Sequence, residues 1–445
     1  MCPRLVKEKL DPSAEGWISV TEAPTRKLLA GGPVTDTTDV DVDALLAEIF
    51  LTTEGKSDPY PRYAAIREHS PAFRSAMGFV VVGRFEDCQW VLRDARFGKG
   101  EMNAMWETYD LTEEQWRARF PDMERRMSSM LGLDPPDHTR LRRLVAKAFT
   151  PKTVENLRPD IVRLTDELLD QMGGTVDVIA ELALPLPMAV IGEMLGIPAS
   201  ERVVLQPFVR DAVKTLELDP PLDQLDAAAH ASKVIAEHIE ALIAERRAQP
   251  TDDLLSELVH VEEQGDQLSH DELISTVILL FGAGFETTTN LIGNGLLALL
   301  EHPAELQRVR DDRSLMKTAV EELLRWDAPI QVDGRKVFED VEVHGLEVAA
   351  GQEFVTLLGA ANRDPRVYDD PDRFDVGRVA QAPMSFGAGI HYCLGAALAR
   401  AEAHVVFDRL LERYASIEPD WGDTRPAYRD SIVLHGLETL PVRLA

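Results

Sequence analysis

The segment SFGAGIHYCLG, residues Ser385 to Gly395, places three glycines, two aromatic side chains, a histidine and a cysteine within one short stretch. A strongly helical run, AALARAEAHVVFDRLL, follows at once. Glycines allow the backbone to approach another group closely. A thiolate at the start of a helix is stabilised by unpaired N–H groups and by the helix dipole. The pattern therefore predicts that Cys393 is a metal ligand or a nucleophile.

Two alternatives for Cys393 follow from the rest of the chain. A lone cysteine is most often a small buried hydrophobic residue. The other cysteines, Cys2 and Cys88, lie far from Cys393 in sequence, which argues against a disulfide framework or a four-cysteine zinc or iron–sulfur site. No His/Asn arrangement typical of a cysteine hydrolase accompanies Cys393 locally, so the sequence favours a metal ligand over a nucleophile.

Composition excludes several classes of protein. The 445 residues contain 47 Lys and Arg against 76 Asp and Glu, a formal charge of −29. This charge argues against a nucleic-acid binder, which needs a basic face to neutralise phosphates. The N-terminus, MCPRLVKEKLDPSAEGW, has no apolar run after its basic residues, so neither a secretory signal nor an anchor is predicted. We expect a cytoplasmic protein.

One apolar stretch, Ser275 to Leu300, is long enough to cross a bilayer. Polar residues from Glu286 to Asn290 lie in its middle, and such groups are costly at that depth in lipid. The stretch is therefore predicted to be a helix buried inside a large protein, not a membrane span.

Hydrophobic periodicity elsewhere predicts a mainly helical chain with small sheets. The predicted helices are Pro61 to Arg67, His138 to Phe149, Val154 to Met172, Ala227 to Arg247 and Ala304 to Trp326. The predicted strands are Gly78 to Gly83 and pieces of Val337 to Val348 and Ser431 to Leu444. Residues 1–45 lack a sustained period and are predicted to form a loosely ordered extension before a single domain, 46–445.

The motifs around Cys393 resemble those of the cytochrome P450 family, and four of them occur in the family's order. The cysteine-ligand loop comprises Phe386, Gly387, Gly389, His391, Cys393 and Gly395. The oxygen-activating motif comprises Ala283, Gly284, Glu286 and Thr287. The Glu-x-x-Arg motif is Glu322 and Arg325, and Arg373 in DPDRF is expected to complete its ion-pair network. The resemblance covers about Asp58 to Ala445 and implies the soluble bacterial type, with the cytochrome P450 fold around a buried haem.

The resemblance implies haem b with Cys393 as the thiolate ligand of the iron. It also implies that cationic side chains bind the haem propionates. These are His138 and Arg142 on the basic helix, Arg335, and His391 in the loop. Glu322, Arg325 and Arg373 are expected to form a structural network behind the haem.

Glu286 and Thr287 are the catalytic residues that the resemblance implies. The long apolar helix would cross the open haem face, where Ala283 and Gly284 leave room for dioxygen. Thr287 would hydrogen-bond to the oxygen, and Glu286 with ordered water would relay protons. The alternative for Thr287 is a hydrogen bond from its hydroxyl back to the preceding turn, which is common for threonines inside helices.

The substrate is expected to be a sizeable, lipophilic and mostly uncharged small molecule. Methionines and aromatic residues between Glu101 and Met130 form an adaptable apolar set, although ordinary core packing explains such sets more often. By position in the family, the candidate pocket residues are Met102, Met105, Trp106, Ile330, Val332, Val433 and Leu434.

The resemblance favours a monooxygenase that hydroxylates or epoxidises its substrate with O2 and electrons from a ferredoxin and its reductase. The basic run Arg140 to Lys147, conspicuous in so acidic a chain, is the expected docking surface, although four basic residues can also be an ordinary exposed helix face. Azole-type haem ligands are expected to bind. The alternatives are a peroxide-driven or non-oxygenating haem-thiolate enzyme, whose known examples usually lack the acid–alcohol pair, and a haem- or ligand-binding protein without turnover.

Overall fold

Helices dominate the computed structural model, which describes residues 40–100, 109–121, 129–217, 220–263 and 266–445. The helices are α1 (Val42–Leu51), α2 (Thr53–Ser57), α3 (Tyr60–His69), α4 (Phe85–Arg93), α5 (Glu113–Arg119), α6 (Asp137–Val145), α7 (Pro151–Leu169), α8 (Pro185–Met194), α9 (Ala199–Ala212), α10 (Leu222–Ala248), α11 (Leu254–His260), α12 (His270–Glu301), α13 (Pro303–Asp311), α14 (Met316–Trp326), α15 (Leu358–Ala361) and α16 (Ala396–Arg413). Val40–Ala445 form one compact unit. The predicted fold class, mainly helical with small sheets, is confirmed.

Short strands complete the fold. They are β1 (Ala72–Arg74), β2 (Val80–Val82), β3 (Phe97–Gly98), β4 (Gly174–Asp177), β5 (Glu262–Glu263), β6 (Asp266–Gln267), β7 (Val332–Val337), β8 (Val341–Val343), β9 (Leu346–Val348), β10 (Glu353–Leu357), β11 (Ile417–Pro419) and β12 (Pro441–Leu444). The largest sheet has the order β1-β2-β10-β7-β3, and β2 and β10 are its parallel pair. A second sheet has the order β11-β12-β4, and two hairpins, β5-β6 and β8-β9, stand apart from both.

Helix α12 lies at the centre of the main hydrophobic core, with α8, α14 and α16 packed against it. Its N-terminus is closed by a capping box in which Ser269 and Glu272 satisfy each other's backbone N–H groups. At 1.5 Å per residue its 32 residues span about 48 Å. Nearly all of its side chains from Leu273 to Leu300 are buried, so the prediction of a buried helix is confirmed.

No single helix among the described residues is both long enough and apolar enough to span a membrane. By length and composition only the pair Ile179–Met194 and Ala199–Leu216 would suffice, and the two are bent by 118° relative to each other.

Several predicted elements require correction. Ala304 to Trp326 is two helices, because the backbone leaves the helix at Asp312, whose side chain caps the turn that leads into α14. Val337 to Val348 is the end of β7 followed by the β8-β9 hairpin, which turns at His344 and Gly345 with positive φ angles of 49° and 81°. Of Ser431 to Leu444, only Pro441–Leu444 is a strand.

The remaining predicted elements agree with the structure within a few residues, as expected for sequence-based boundaries. At the N-terminus, helix α1 begins at Val42, so the predicted extension, 1–45, overlaps the start of this helix. The rest of that extension, 1–39, lies outside the described residues.

A buried carboxylate after α14 joins three parts of the fold. Asp327 accepts hydrogen bonds from the hydroxyls of Tyr60 and Tyr428, both at 2.7 Å, and lies 3.1 Å from Nε2 of His435. Burial by itself would raise the pKa of Asp327, but His435 and the two hydroxyls hold that pKa below its usual value. The network therefore ties the N-terminal helices and the C-terminal segment to the end of α14.

Replacing this carboxylate should destabilise the protein. Because the folded-state pKa is depressed, ionised Asp327 stabilises the fold above its ordinary pKa, and this contribution is lost as the pH falls below about 4. Asp327→Asn should lower the free energy of unfolding at pH 7 by about 2–4 kcal/mol and flatten its acid dependence, measured by urea unfolding across pH. The exposed control Asp423→Asn should change it by less than about 0.5 kcal/mol. Equal behaviour of the two variants would contradict the role of the network.

Candidate active site

The loop before α16 holds Cys393 by backbone geometry. Short 3-10 turns cover Met384–Phe386 and Gly389–His391, and the N–H of Cys393 donates to the carbonyl of Phe386 at 2.9 Å. Gly389 has a positive φ of 70°, and a Cβ there would lie 2.0 Å from the carbonyl oxygen of Leu92. Only glycine therefore lets the loop pack against the end of α4.

Cys393 is exposed as a residue, although protein groups crowd around its thiol. Burial raises the pKa of this thiol, and the N–H groups of Gly395 and Ala396 and the guanidinium of Arg142 oppose that rise. N–H groups directed at a sulfur are the usual means of tuning a thiolate ligand. Among the described residues no three His, Cys, Asp or Glu side chains are arranged to hold a metal ion together.

The predicted propionate-binding residues converge. The rings of His138 and His391 lie 4.2 Å apart, and Arg142 on the same helix as His138 donates to the carbonyl of Tyr392. Burial lowers the pKa of both histidines, that of His391 to about 3. Both ring nitrogens of His138 and Nε2 of His391 are buried without a hydrogen-bond partner. Buried polar atoms of this kind call for partners, and carboxylates would supply them. The donor set therefore fits the haem that the sequence implies.

Lys99 is a further cation at this site, and the sequence analysis did not identify it. Arg335 on β7 is almost completely buried and pairs with Asp333 at 2.7 Å. Lys99, just after β3, binds the same carboxylate at 2.8 Å and the carbonyl of Gly334 at 3.3 Å. Two cations thus share the carboxylate of Asp333, and a second carboxylate, that of Asp134, accepts from the backbone N–H of Lys99 at 3.0 Å. No motif marks Lys99, because only the β3-β7 pairing brings it beside Arg335.

The ion-pair network contains a different arginine from the predicted one. Glu322 and Arg325 form a buried two-pronged pair at 2.7 and 2.8 Å, as expected. Arg373, however, is exposed and pairs with Asp370 and Asp375. Its place is taken by Arg378, whose Nε lies 3.1 and 3.3 Å from the two oxygens of Glu322.

The physical reason for this correction lies in the backbone of the segment. Arg373 faces the network with its carbonyl, which accepts from Arg378 at 2.7 Å and from Arg325 at 3.4 Å. Its side chain consequently points to solvent, while that of Arg378, five residues later, reaches back to the buried carboxylate.

The middle of helix α12 is buried except at five residues: Ala283 is exposed, and Ile278, Leu279, Gly284 and Thr287 are half-buried. Leu279, Ala283 and Thr287 are spaced by four residues and form an accessible strip on one helix face. Gly284 is half-buried and lies close to α8, where a Cβ on residue 284 would lie 2.9 Å from Ile191. The close approach of Ile191 favours glycine at this position, and the room for dioxygen beside Ala283 and Gly284 stays a prediction.

The acid and the alcohol have different surroundings. The hydroxyl of Thr287 donates to the carbonyl of Ala283 at 3.0 Å, so the alternative of a bond to the preceding turn is what the structure shows. Its lone pairs stay available on the accessible strip. Glu286 is only 2% exposed and is bound by the guanidinium of Arg429, which sequence analysis did not identify.

The candidate substrate-pocket residues divide into two groups. Met102, Met105 and Trp106 lie outside the described residues. Ile330 and Leu434 form a β-bridge, whereas Val332 and Val433 pack in an apolar cluster with side chains of α1 and α3. Val332 and Val433 therefore belong to the core in this structure.

Comparisons with known proteins agree on one family. The family model described as Cytochrome P450 matches residues 218–439. Cytochrome P450 107B1 of Saccharopolyspora erythraea is 41% identical over 400 residues, covering 87% of this chain and 95% of the relative. Vitamin D(3) 25-hydroxylase of Pseudonocardia autotrophica is 39% identical over 394 residues, covering 87% and 94%. The solved structure of PksS, the bacillaene polyketide synthase cytochrome P450 of Bacillus subtilis 168, superposes with a TM-score of 0.79 at 36% identity, covering 88% and 98%.

Substitution of Arg378 and of Arg373 should have different effects on stability and haem loading. Arg378→Met should leave Glu322 short of a partner for its buried charge, at a cost of about 3–5 kcal/mol, and haem loading should fall with it. Arg373→Met removes only exposed ion pairs, worth at most about 1 kcal/mol, and should load haem normally. The measurement is the ratio of haem to protein absorbance after purification, with the unfolding midpoint. Arg378→Lys should be intermediate, and equal haem loading in all three variants would contradict the assignment.

Proposed function

The chain belongs to the cytochrome P450 family and is a haem-thiolate monooxygenase, and we propose the roles of its site residues, its substrate class and its electron donor as follows. When bound, haem b with a cysteine thiolate ligand activates molecular oxygen for insertion of one oxygen atom into a substrate. The observation that carries the proposal is the accessible strip of α12, which presents Thr287 beside the acid Glu286 in an otherwise buried helix.

Cys393 would hold the haem iron, with the N–H groups of Gly395 and Ala396 directed at its sulfur. His138, Arg142, Arg335 and His391 would bind the propionates, as would Lys99, whose carboxylate partner is already shared. Guanidinium forks suit carboxylates in both charge and geometry. Phe386, with the guanidinium of Arg400 4.4 Å from its ring, would shield the sulfur from water.

Proton delivery would use Thr287 and Glu286. The Oγ1 of Thr287 already donates to Ala283, so its lone pairs would accept a hydrogen bond at the accessible strip. Oε2 of Glu286 is buried without a hydrogen-bond partner and would accept a hydrogen bond from an ordered water that relays protons. Controlled delivery matters because release of hydrogen peroxide competes with insertion of oxygen into the substrate.

The substrate would be a lipophilic small molecule that is hydroxylated or epoxidised. The names of two similar proteins, a vitamin D(3) hydroxylase and a polyketide-synthase cytochrome P450, support a sizeable apolar substrate. An optical titration of the ferric protein with a panel of lipophilic compounds and an azole tests this class at the haem absorbance. A shift caused by one chemical class supports the proposal, and a protein that binds haem but shifts only with small polar compounds would contradict it.

Electrons would come from a ferredoxin-type donor, and a cytoplasmic location fits that pairing. The surface beside Cys393 exposes Ile390 (46%) and Tyr392 (41%), and Arg93 lies next to them. The segment of Arg142, which donates to the carbonyl of Tyr392, also exposes Arg143 and Lys147. Arg140 contributes less charge than predicted, because it pairs with Glu272. An apolar centre with a basic rim suits an acidic redox partner, which the overall charge of −29 would otherwise repel.

Thr287 and its neighbour Thr288 form a matched pair for testing proton delivery. Both hydroxyls bond back to the preceding turn, but Thr288 is buried at 3% exposure and lies off the strip. Thr287→Ala should keep haem and substrate binding while the share of electrons recovered as peroxide rises about tenfold or more. Thr288→Ala should leave that share near the wild-type value. Unchanged peroxide release in Thr287→Ala would refute its role.

The docking surface can be tested by salt dependence. Arg143→Ala with Lys147→Ala should slow reduction by a ferredoxin several-fold at low ionic strength and flatten the dependence on salt, because steering by surface charges is screened. Arg443→Ala, an exposed arginine on β12, is the control and should change neither. Reduction rates that stay insensitive to salt in the unmodified protein would exclude this docking surface.

A further inference from the structure

Asn362, the residue after α15, binds the start of the loop that carries Cys393. Its side chain is completely buried. Oδ1 of Asn362 accepts from the N–H of Met384 at 2.6 Å, and Nδ2 donates to the hydroxyl of Ser385 at 2.9 Å. Met384 and Ser385 belong to the 3-10 turn whose last carbonyl, that of Phe386, accepts from the N–H of Cys393. Asn362 therefore holds the turn to which the backbone of Cys393 is bonded.

The orientation of the Asn362 amide is fixed by the chemistry of its partners. A backbone N–H can only donate, so the atom that faces Met384 is the amide oxygen, and the NH2 group faces Ser385. The hydroxyl of Ser385 accepts this bond and donates its own proton to the carbonyl of Leu324 on α14 at 2.6 Å. Hydrogen bonds arranged in such a chain strengthen one another, so Asn362 and Ser385 together join the loop to α14.

The backbone of Asn362 is anchored on both sides. Its carbonyl accepts at 3.1 Å from Arg325, the arginine of the buried ion pair on α14. The next residue, Arg363, donates to the last carbonyl of α14 at 2.8 Å, and Asp364 accepts from the first N–H of α4 at 2.9 Å. Because the main chain is fixed in this way, the short side chain of Asn362 is a rigid support for the loop.

The amide of Asn362 does not serve its own helix. Helix α15 is only four residues long, and Asn362 closes it with a backbone bond from its N–H to the carbonyl of Leu358 at 3.0 Å. Both side-chain hydrogen bonds instead reach residues that lie 22 and 23 positions later in the chain. The side chain therefore contributes to the placement of the loop and not to the end of α15.

We propose that Asn362 is a positioning residue for Cys393, which holds the turn Met384–Phe386 against α14 and thereby sets the place of the sulfur relative to the N–H groups of Gly395 and Ala396. These N–H groups oppose the rise in the pKa of the thiol that burial causes, and so they favour the thiolate. Loss of the amide would leave the N–H of Met384 without its buried partner, and the turn would shift to recover one. The inference rests on the proposed role of Cys393 as the haem ligand.

The test compares Asn362→Ala with Asn294→Ala in the haem-loaded protein. Asn294 on α12 is the matched control, because it is an asparagine of nearly equal burial whose amide donates to the carbonyl of His435 at 3.1 Å. Loss of a group that orients a metal ligand typically weakens metal binding about 10- to 100-fold. Asn362→Ala should therefore lose haem to an excess of apomyoglobin about tenfold faster than the unmodified protein, and Asn294→Ala should lose it at close to the unmodified rate.

The second readout is the absorbance of the carbon monoxide complex of the reduced protein, which separates thiolate from neutral thiol ligation. Asn362→Ala should raise the share of thiol ligation about threefold or more, whereas Asn294→Ala should keep the unmodified share even if it is less stable. Asn362→Asp retains an oxygen for the N–H of Met384 and should recover part of the thiolate. If Asn362→Ala does not accumulate, Ser385→Ala replaces it and should change both readouts in the same direction.

Hydrogen exchange by mass spectrometry reports on the loop itself. A peptide covering 384–393 should exchange about tenfold faster in Asn362→Ala than in Asn294→Ala, because the N–H of Met384 loses its acceptor and the turn opens more often.

Two results would overturn the inference. One is a rate of haem loss in Asn362→Ala equal to that in Asn294→Ala, and the other is an unchanged share of thiol ligation in Asn362→Ala. Cys393→Ser separates this inference from the proposed function. If Cys393→Ser kept the thiolate spectrum, the ligand role of Cys393 would be wrong, while hydrogen exchange would still decide whether Asn362 holds the loop.

Discussion

The buried carboxylate of Glu322 is the interaction on which the site depends. It accepts from Arg325, Arg378 and the N–H of Asp375, so a single charge fixes α14 and the segment after β10 together. From α14 the connection continues to the cysteine loop, because the hydroxyl of Ser385 donates to the carbonyl of Leu324 at 2.6 Å. Removing one partner would leave a charge without compensation in the interior, which is far more costly than losing an exposed pair. The position of Cys393 thus rests on an ion pair that contacts no reacting group.

Charge is distributed unevenly in this acidic protein. A net charge of −29 would disfavour binding of any group that carries two carboxylates, yet His138, Arg142, Arg335 and Lys99 are gathered on one side of the cysteine loop. Asp333 holds Lys99 and Arg335 together without cancelling both charges. Burial of these groups strengthens their electrostatic interactions, since fewer water molecules screen them. For binding a group with carboxylates, the local placement of these cations therefore matters more than the net negative charge of the chain.

Glu286 and Thr287 are adjacent on helix α12 but have different surroundings. Successive residues on a helix point about 100° apart, so Thr287 can stand on the accessible strip while Glu286 turns into the protein. The alcohol is thereby available to small molecules, and the acid is held by arginines from other elements. This division lets one short motif combine an accessible alcohol with a buried acid, and the acid is the one of the two that Arg429 binds.

The sequence by itself determined the family, the Glu322–Arg325 pair and the buried character of α12, and it singled out Cys393 as the candidate ligand. These features depend on residues close together in the chain, whose spacing is set by helix geometry or by a short glycine-rich loop. Tertiary structure decided that Arg378 and not Arg373 completes the network, that Ile191 lies close to Gly284, that Lys99 pairs with Asp333 and that Arg429 pairs with Glu286. Each of these depends on a contact between segments distant in sequence or on which way a turn directs its side chain. Local spacing carries no information about such contacts, because they form only when the elements pack.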